Sequence, residues 1–395
     1  MERVILHCDC NSFFASCETV LKPELKLVPM AVCGDPENRH GIILAKNELA
    51  KRYGIETAET VYAAKRKCPG LVLVRSHHQL YEEMSIKANN IYREYTDMVE
   101  PFGIDESWLD VTNSRMLFGS GKEIADTIRR RFREELGITC SVGVSFNKTI
   151  AKLASDYKKP DATTVILRAN FEETVWKLPV SALLYVGKNA TEALRRMYIF
   201  TIGDLAQSDR DMLIKRLGKS GGMLHDYANG IDPSPVRKID EKQEQKSVSA
   251  GCTFRRDLVS EDDIKTGVLT VANELSARLR RHKVKCVNLG VTVKYFDFTS
   301  QSRQKQFDGG ISSAKLIFDR AYELTLSSFS LTKPVRSITL SANKIVPENE
   351  SFEQMSLFSD NAKDKYESLE NALDSVRKKY GSHAVEVGSL MNKDI

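Results

Sequence analysis

Three acidic residues follow short apolar runs that are far apart in the chain but alike in pattern. Asp9 follows the run Val4–Cys8, while Asp105 and Glu106 lie at a bend that Gly103 permits between two strand-like segments. Neighbours on a regular strand point to opposite faces, so the Asp105–Glu106 pair can serve one site only if the chain bends there. Carboxylates at strand ends can converge on hard cations such as Mg²⁺, and two cations roughly 3.5–4 Å apart can clamp the oxygens of a phosphoryl displacement. The pattern indicates phosphoryl or nucleotidyl transfer, although an isolated Asp-Glu pair is more often a solvated turn.

Composition places the chain among globular proteins with several domains. Its 395 residues predict two to four domains at roughly 100–200 residues each. No run approaches the roughly 18 apolar residues of a membrane helix, and no secretory leader precedes the first strand, so we expect a cytoplasmic protein without a membrane partner. Eight cysteines without a C-x-x-C pair predict reduced core thiols and disfavour a zinc site.

Charge is unevenly distributed along the chain. Residues 246–346 hold 17 lysines and arginines against 9 acids, whereas residues 347–395 hold 6 against 10. The basic block favours a polyanionic partner, with a merely solvated surface as the alternative.

Apolar periodicity divides the chain into an α/β segment, a helical segment and a second mixed segment. Residues 1–165 alternate strand and helix, 166–235 are helical with short loops, 236–245 form a charged linker, and 246–346 combine two helices with several strands. Residues 347–395 form a mostly polar tail. In the first segment the predicted strands are Val4–Cys8, Met30–Cys33, Gly41–Ala45, Leu71–Val74, Trp108–Val111 and Thr139–Ser145, and the predicted helices include Glu48–Tyr53, Gln79–Tyr95 and Lys122–Leu136.

A lysine-bearing segment, Asn147–Pro160, follows a strand and opens a helix. Lys148 and Lys152 lie four residues apart on one helical face, and Lys158 and Lys159 follow at the helix end. Ammonium groups in this arrangement suit phosphate oxygens, and ordinary surface lysines are an equally good interpretation.

Four blocks in order resemble the Y-family DNA polymerases, in the branch typified by bacterial DNA polymerase IV. Asp9–Glu18 is similar to the family's first metal-binding block, Gly103–Asp110 to its second, and Ser141–Pro160 to its third. Gln354–Phe358 resembles the peptide by which bacterial polymerases dock on the sliding clamp. The resemblance implies an α+β multidomain fold shaped like a right hand. Its parts would be a ferredoxin-like palm with small fingers near residues 20–75, a helical thumb, and an α/β little finger that binds DNA.

The resemblance also implies site roles for a primer-extending, low-fidelity translesion polymerase. Asp9, Asp105 and Glu106 would hold two Mg²⁺ ions, with the main-chain carbonyl of Cys10 completing a metal shell. Phe14 matches the steric gate that selects deoxynucleotides, although from the residues alone core packing is the better interpretation. The nucleotide-binding residues would be Phe13, Phe14, Lys51, Arg52 and Lys159.

DNA and clamp contacts follow from the same resemblance. Primer-template DNA would be gripped by a helix-hairpin-helix at Gly187 and Lys188 in the thumb. The little finger's candidate contacts are Lys246, Arg255, Arg256, Arg303 and Lys305, and the clamp anchors are Gln354, Leu357 and Phe358. We expect deoxynucleoside triphosphates as substrates and a monomeric chain.

Four positions depart from the family pattern, one of them Ser12, where a bulky residue is often found. Glu48 and Lys51 stand where a Tyr and an Arg usually meet the triphosphate, and Tyr185 stands where the thumb hairpin usually has a Gly. A glutamate there would repel a triphosphate unless its side chain turns away. Two alternative functions stay open at this point: a catalytically silent relative that binds DNA and the clamp, and another palm-type nucleotidyl transferase such as a nucleotide cyclase.

Overall fold

The computed structural model describes residues 2–35, 41–241, 244–330, 332–348, 362–381, 384–385 and 388. The chain divides into two compact units, residues 1–241 and 242–395. The clamp-like peptide Gln354–Phe358 lies outside the described residues. Within the described ranges, no helix combines the length and apolar character needed to cross a membrane.

The first unit contains a five-stranded and a three-stranded sheet. All six predicted strands are present, with ends displaced by no more than two residues. In chain order the strands are β1 (Ile5–Cys10), β2 (Met30–Cys33), β3 (Ile43–Lys46), β4 (Val72–Arg75), β5 (Val99–Pro101), β6 (Glu106–Asp110), β7 (Cys140–Ser145) and β8 (Thr163–Val165). The large sheet has the order β5-β6-β1-β7-β8 and the small sheet β3-β2-β4.

Twelve α-helices accompany these strands in the described part of the first unit. In chain order they are α1 (Phe13–Leu21), α2 (Glu48–Lys51), α3 (Val61–Lys67), α4 (His78–Arg93), α5 (Arg115–Phe118), α6 (Gly121–Arg131), α7 (Lys148–Tyr157), α8 (Phe171–Val175), α9 (Lys188–Arg195), α10 (Ile202–Gln207), α11 (Arg210–Leu217) and α12 (Lys219–Ala228). The last five share an apolar core with one another and with the end of β7 and α7.

Local signals explain where these helices begin and end. A capping box of Ser120 and Glu123 opens α6, and the apolar residues Ile124 and Ile128 are buried in the core it shares with the large sheet. The predicted helix to Leu136 changes to a π-helical turn over Phe132–Leu136 before Gly137 ends it at φ 69°. Within the predicted helical segment 166–235, α11 and α12 are separate helices because Gly218 adopts φ 67° between them.

The second unit is a four-stranded antiparallel sheet with helices on one face. Its elements are β9 (Val248–Leu258), α13 (Glu261–Arg281), β10 (Val284–Tyr295), β11 (Ser300–Ile311), α14 (Ala314–Ser328), β12 (Val335–Pro347) and α15 (Ala362–Tyr380). The sheet order is β11-β10-β12-β9. Leu289, Val291 and Val293 of β10 point into the core under α13 and α14.

The opposite face of this sheet is lined by small hydroxyl residues. Thr292 of β10 pairs with Ser302 and with Thr339, which in turn pairs with Gly251. Because directly paired residues share a face, these side chains form one polar surface.

Helix α15 is a described part of the predicted polar tail, and it attaches through charge. Glu370 accepts hydrogen bonds from the Ala314 amide at 2.8 Å and the Ser313 hydroxyl at 3.1 Å, so it supplies the N-cap that α14 lacks. Asp374 lies 2.7 Å from the Arg280 guanidinium of α13.

Candidate active site

The large sheet brings the predicted acids together by strand pairing. β1 is central and antiparallel to both β6 and β7, and its register sets Asp9 directly opposite Glu106. Gly103 adopts φ 90°, and the Cys10 amide donates to the Asp105 carbonyl at 3.1 Å. The bend therefore leaves Asp105 at the strand end, beside the paired acids.

These acids lie in a cleft of about 680 Å³ in the first unit. Its walls come from the end of β1, from β3 and α2, and from α7 and the turn after it. The lining residues are Asp9, Cys10, Asn11, Ser12, Phe13, Leu44, Ala45, Lys46, Glu48, Lys51, Thr57, Asp105, Glu106, Lys152, Asp156, Lys159 and Pro160.

Two lysines enter the cleft from α7 and its C-terminal end. Lys152 Nζ lies 2.9 Å from Asp9 Oδ2 and 3.2 Å from Glu106 Oε2, and Lys159 Nζ lies 2.6 Å from Asp9 Oδ2. Lys148, although on the predicted face with Lys152, instead pairs with Glu100 at 2.8 Å. Lys152 was not among the predicted site residues, although its spacing of seven residues from Lys159 could have indicated that it belongs there.

Helix α7 can approach the sheet this closely because β7 has a glycine beneath it. A side chain at Gly143 would overlap the backbone of Ala151 and Ser155. Asn147 caps the helix by accepting from the Ile150 amide at 2.8 Å. Together these features fix where Lys152 and Lys159 project.

The concentration of charge shifts the ionisation of the site. Burial, followed by the charges of Asp9 and Glu106, raises the pKa of Asp105 to about 6. Burial opposes the charged form of Lys152, but Asp9, Glu106 and Asp156 together raise its pKa. Burial and Lys152 lower the pKa of His7 to about 3, so this imidazole is neutral.

The acidic cluster fits a hard cation. Ligand atoms of His7, Asp9 and Glu106 all lie within 4.8 Å of one another. Within the described residues, Glu106 Oε2 and His7 Nε2 are both buried and make no hydrogen bond of good geometry, although Glu106 Oε2 forms an ion pair with Lys152 at 3.2 Å. Burial raises the pKa of the Cys10 thiol well above its usual range, and hard cations prefer oxygen to sulfur, so the main-chain carbonyl is the ligand that Cys10 would offer.

Only some of the predicted nucleotide-binding residues line the cleft. Phe13 is buried but touches the cleft, whereas Phe14 is half-buried and stacks on Tyr81 with ring centroids 4.2 Å apart. Lys51 lines the cleft, while Arg52 is exposed and does not.

Glu48 is the residue that departs most from the family pattern, and its charge is compensated. Its Oε1 lies 2.5 Å from Lys51 Nζ and 3.4 Å from Ser12 Oγ. Lys46 lines the same wall and donates to Thr57 Oγ1 at 3.0 Å. Burial and the charge of Lys51 lower the pKa of Lys46, as expected where two ammonium groups share a wall.

The predicted DNA contacts of the first unit lie at a turn before α9. Gly187 is the N-cap of α9 and Lys188 its first residue. Tyr185 is 57% exposed and adopts φ 68°, the left-handed conformation that a glycine would take more readily.

The predicted DNA contacts of the second unit fall on different faces. Arg255 is exposed, and Arg256 is held by Asp263 at 2.6 Å. Arg303 and Lys305 pair with Val291 and Leu289, and they therefore lie on the helix-covered face, where Lys305 meets Glu323 at 3.1 Å. Lys294, which the sequence analysis did not select, pairs with Ser300 and Ser337 on the polar face. Lys246 is exposed just before β9.

Comparison with known proteins identifies the family. Residues 8–156 match the model of the impB/mucB/samB family, and residues 245–357 match the model of that family's C-terminal domain. "DNA polymerase IV" of Acetivibrio thermocellus is 46% identical over 392 residues, covering 99% of this chain and 98% of that protein. "DNA polymerase IV" of Clostridium kluyveri is 36% identical over 400 residues, covering 100% and 99%.

A solved structure supports the same conclusion and confirms the predicted fold class. A Y-family DNA polymerase chimera superposes with a TM-score of 0.78 at 25% identity, covering 87% of this chain and 99% of that chain. Near-complete coverage of curated relatives at this identity extends the likeness from the fold to the family. The chain belongs to the Y-family DNA polymerases, in the DNA polymerase IV-like branch.

Proposed function

We propose that this DNA-directed DNA polymerase carries out translesion synthesis in the cleft formed by Asp9, Asp105 and Glu106. The observation that carries the site assignment is the β1–β6 register, which sets Asp9 opposite Glu106 with Asp105 at the bend. Low fidelity and a two-metal mechanism are typical of the family. Lys152 and Lys159, which reach the same acids, support the assignment because a phosphate-handling site needs cations beside its carboxylates.

Family membership implies dependence on a divalent metal, and we propose two Mg²⁺ ions. Asp9, Asp105, Glu106 and the Cys10 carbonyl would hold them, since these are the oxygen ligands that Mg²⁺ prefers. When bound, the ions would activate the primer 3′-hydroxyl and neutralise the triphosphate. The burial of Glu106 Oε2 and its closeness to the ligand atoms of Asp9 support this proposal.

The lysines and aromatic residues would orient the deoxynucleoside triphosphate. Lys159 would exchange its bond to Asp9 for triphosphate oxygens, and Lys51 would exchange its bond to Glu48 in the same way. Phe14, whose ring is held by Tyr81, would form the steric gate, with Phe13 beside it. Arg52 is the least supported candidate, because it is exposed and does not line the cleft. Phe14 does not line the cleft either, but its ring packs against Phe13, which does.

The domains would follow the family plan. Residues 1–165 would be palm and fingers, 166–235 the thumb, 236–245 a linker and 246–346 the little finger. Gly187 and Lys188 would grip the DNA backbone without reading bases. In the little finger, the polar face with Lys294 is the better-supported DNA surface, and Arg255 on β9 and Lys246 just before that strand are further exposed candidates.

The tail and the cellular setting are proposed from the sequence. Gln354, Leu357 and Phe358 would dock on the replication sliding clamp, because short motifs of this kind bind through a few buried anchors. We propose that the chain is monomeric and acts in the cytoplasm.

Primer extension tests the site. Asp105→Asn and Glu106→Gln each keep side-chain volume while removing a negative charge from the metal site. Each should lower the rate of extension by roughly 1,000-fold or more, equivalent to about 4 kcal/mol of transition-state stabilisation. Asp240→Asn, which neutralises an exposed acid beside Arg93, is the matched control. Normal extension by folded Asp105 and Glu106 variants would refute the assignment.

A further inference from the structure

A fully buried histidine lies directly behind the acidic cluster. His7 precedes Asp9 by two residues on β1, so both side chains project from the same face of the sheet. His7 has 0% exposure, and its ring meets the edge of Trp108 with centroids 5.3 Å apart. Its Nε2 lies 3.2 Å from Glu106 Oε2, and its Nδ1 lies 2.9 Å from Ser155 Oγ.

The contact between His7 and Glu106 requires a proton. Nε2 of His7 and Oε2 of Glu106 are both buried and face each other at 3.2 Å without good hydrogen-bond geometry, and the Lys152 ammonium lies 3.2 Å from the same carboxylate oxygen. Two lone pairs in that position would repel each other in a water-excluded place. A proton on Nε2 converts the repulsion into a charge-assisted hydrogen bond once the carboxylate rotates into line.

Ser155 determines whether the neutral imidazole can carry its one proton on Nε2. The Ser155 hydroxyl has one hydrogen and two acceptors within reach, His7 Nδ1 at 2.9 Å and the Lys152 carbonyl at 2.7 Å. The Lys152 carbonyl lies inside α7, where a helical amide also serves it. Donation from Ser155 to Nδ1 leaves Nε2–H for Glu106 and satisfies all three groups.

We propose that His7 is a positioning residue that donates Nε2–H to Glu106 and, with Ser155 behind it, fixes that carboxylate for the metal. The inference rests on the proposed role of Glu106 as a metal ligand. Carboxylates that bind metals are themselves held by hydrogen bonds, and loss of such a partner typically lowers metal affinity or activity by about 10–100-fold. His7 is not placed as a ligand itself, because the Lys152 ammonium lies against both Asp9 and Glu106 in front of it.

Two substitutions separate hydrogen bonding from packing. His7→Gln retains an N–H donor at a reach similar to Nε2, whereas His7→Phe retains a ring against Trp108 and removes the donor. We expect His7→Phe to weaken Mn²⁺ binding by about 10–100-fold and His7→Gln to stay within roughly threefold of the wild type. Ser155→Ala should fall between them, while Ser145→Ala, which removes a buried hydroxyl that bonds Ile166 instead, should have no effect.

The measurement is Mn²⁺ binding by the full chain, followed by loss of the free-ion electron paramagnetic resonance signal, with thermal unfolding recorded for every variant. In primer extension, kcat should fall with the affinity while KM for the nucleotide stays constant. Unchanged Mn²⁺ binding by folded His7→Phe, or equal losses in His7→Phe and His7→Gln, would overturn the role. If His7→Phe does not fold, Mn²⁺ binding by Ser155→Ala is compared with that by Ser145→Ala, and equal binding by the two would overturn the role. Glu106→Gln is the reference: if it also leaves Mn²⁺ binding unchanged, the site assignment fails rather than the role of His7.

Discussion

At the scale of single residues, the stacking of Phe14 on Tyr81 gives the proposed steric gate a fixed position. A parallel ring at 4.2 Å limits the rotation of Phe14, and an edge contact with His78 closes another side. A rigid ring discriminates between sugars better than a mobile one, because it cannot move aside for a 2′-hydroxyl.

Phe14→Ala should therefore admit ribonucleotides. The ratio of deoxynucleotide to ribonucleotide incorporation, as kcat/KM, should fall on the order of 100-fold, since the discrimination is steric. Phe14→Tyr keeps the ring and should keep the discrimination. Steady-state single-nucleotide incorporation measures both, and an unaltered ratio in Phe14→Ala would remove the gate role.

Single residues also show which parts of the candidate site could be predicted from the sequence and which could not. Asp9, Asp105 and Glu106 lie at the ends of recognisable strands, so the pattern allowed them to converge, and the resemblance to a family singled them out. Lys148 and Lys152 share a helical spacing, but only the packing of α7 over the sheet sends Lys148 to Glu100 and Lys152 into the cleft. Spacing along the sequence predicts which side chains share a helical face, but it does not predict which neighbour each of them contacts.

At the scale of elements, the same limit applies to strand β11. Its sequence, SQSRQKQFDGGI, has little apolar alternation, so nothing in it marks which side faces the core. Pairing with β10 settles the question and turns Arg303 and Lys305 toward the helices. In β10, where Leu289, Val291 and Val293 alternate with polar residues, the exposed face was predictable.

The close approach of α7 to β7 can be tested by a substitution at Gly143. Gly143→Ala would place a methyl group against helix backbone, which cannot rotate away as a side chain can. We expect a loss of about 3 kcal/mol in the free energy of unfolding, the upper end for overpacking. Gly70→Ala, with nothing within 4 Å, is the matched control and should be neutral. Calorimetry of both variants measures the loss of stability, and equal unfolding temperatures would show that α7 can shift at little cost.

The polar face of the second sheet can be tested by salt dependence. Lys294→Ala and Arg255→Ala should each weaken primer-template binding and reduce the slope of log affinity against log salt by about one, because each removes one phosphate contact. Lys315→Ala, on α14 and paired with Asp319, should leave the slope unchanged. Fluorescence anisotropy over a salt series measures it. Larger losses in Arg303→Ala and Lys305→Ala would place the DNA at the other face.

At the scale of the whole molecule, the clamp-like peptide lies between β12 and α15 and is followed by an anchored helix. Deleting residues 354–358 should preserve basal primer extension and abolish stimulation by the clamp, because catalysis and docking use separate parts of the chain. A Ser359→Ala, Asp360→Ala double variant alters the same segment without touching the proposed anchors. Clamp stimulation that survives the deletion would refute the docking role.

The pairing of Asp9 with Glu106 determines where insertions and deletions in this chain can be tolerated. The residues that separate the two strands include the small sheet, whose apolar core of Ala31, Ile43, Ala50 and Ile55 is its own. Met30 and Val32 of β2 pack into the core of the large sheet, so we expect changes of length to be tolerated in the loops of that segment, where they leave the ladder that fixes the two acids intact. One residue inserted within β1 or β6 would instead turn an acid to the far side of the sheet. The arrangement of the two acids therefore tolerates changes between the strands better than changes within them.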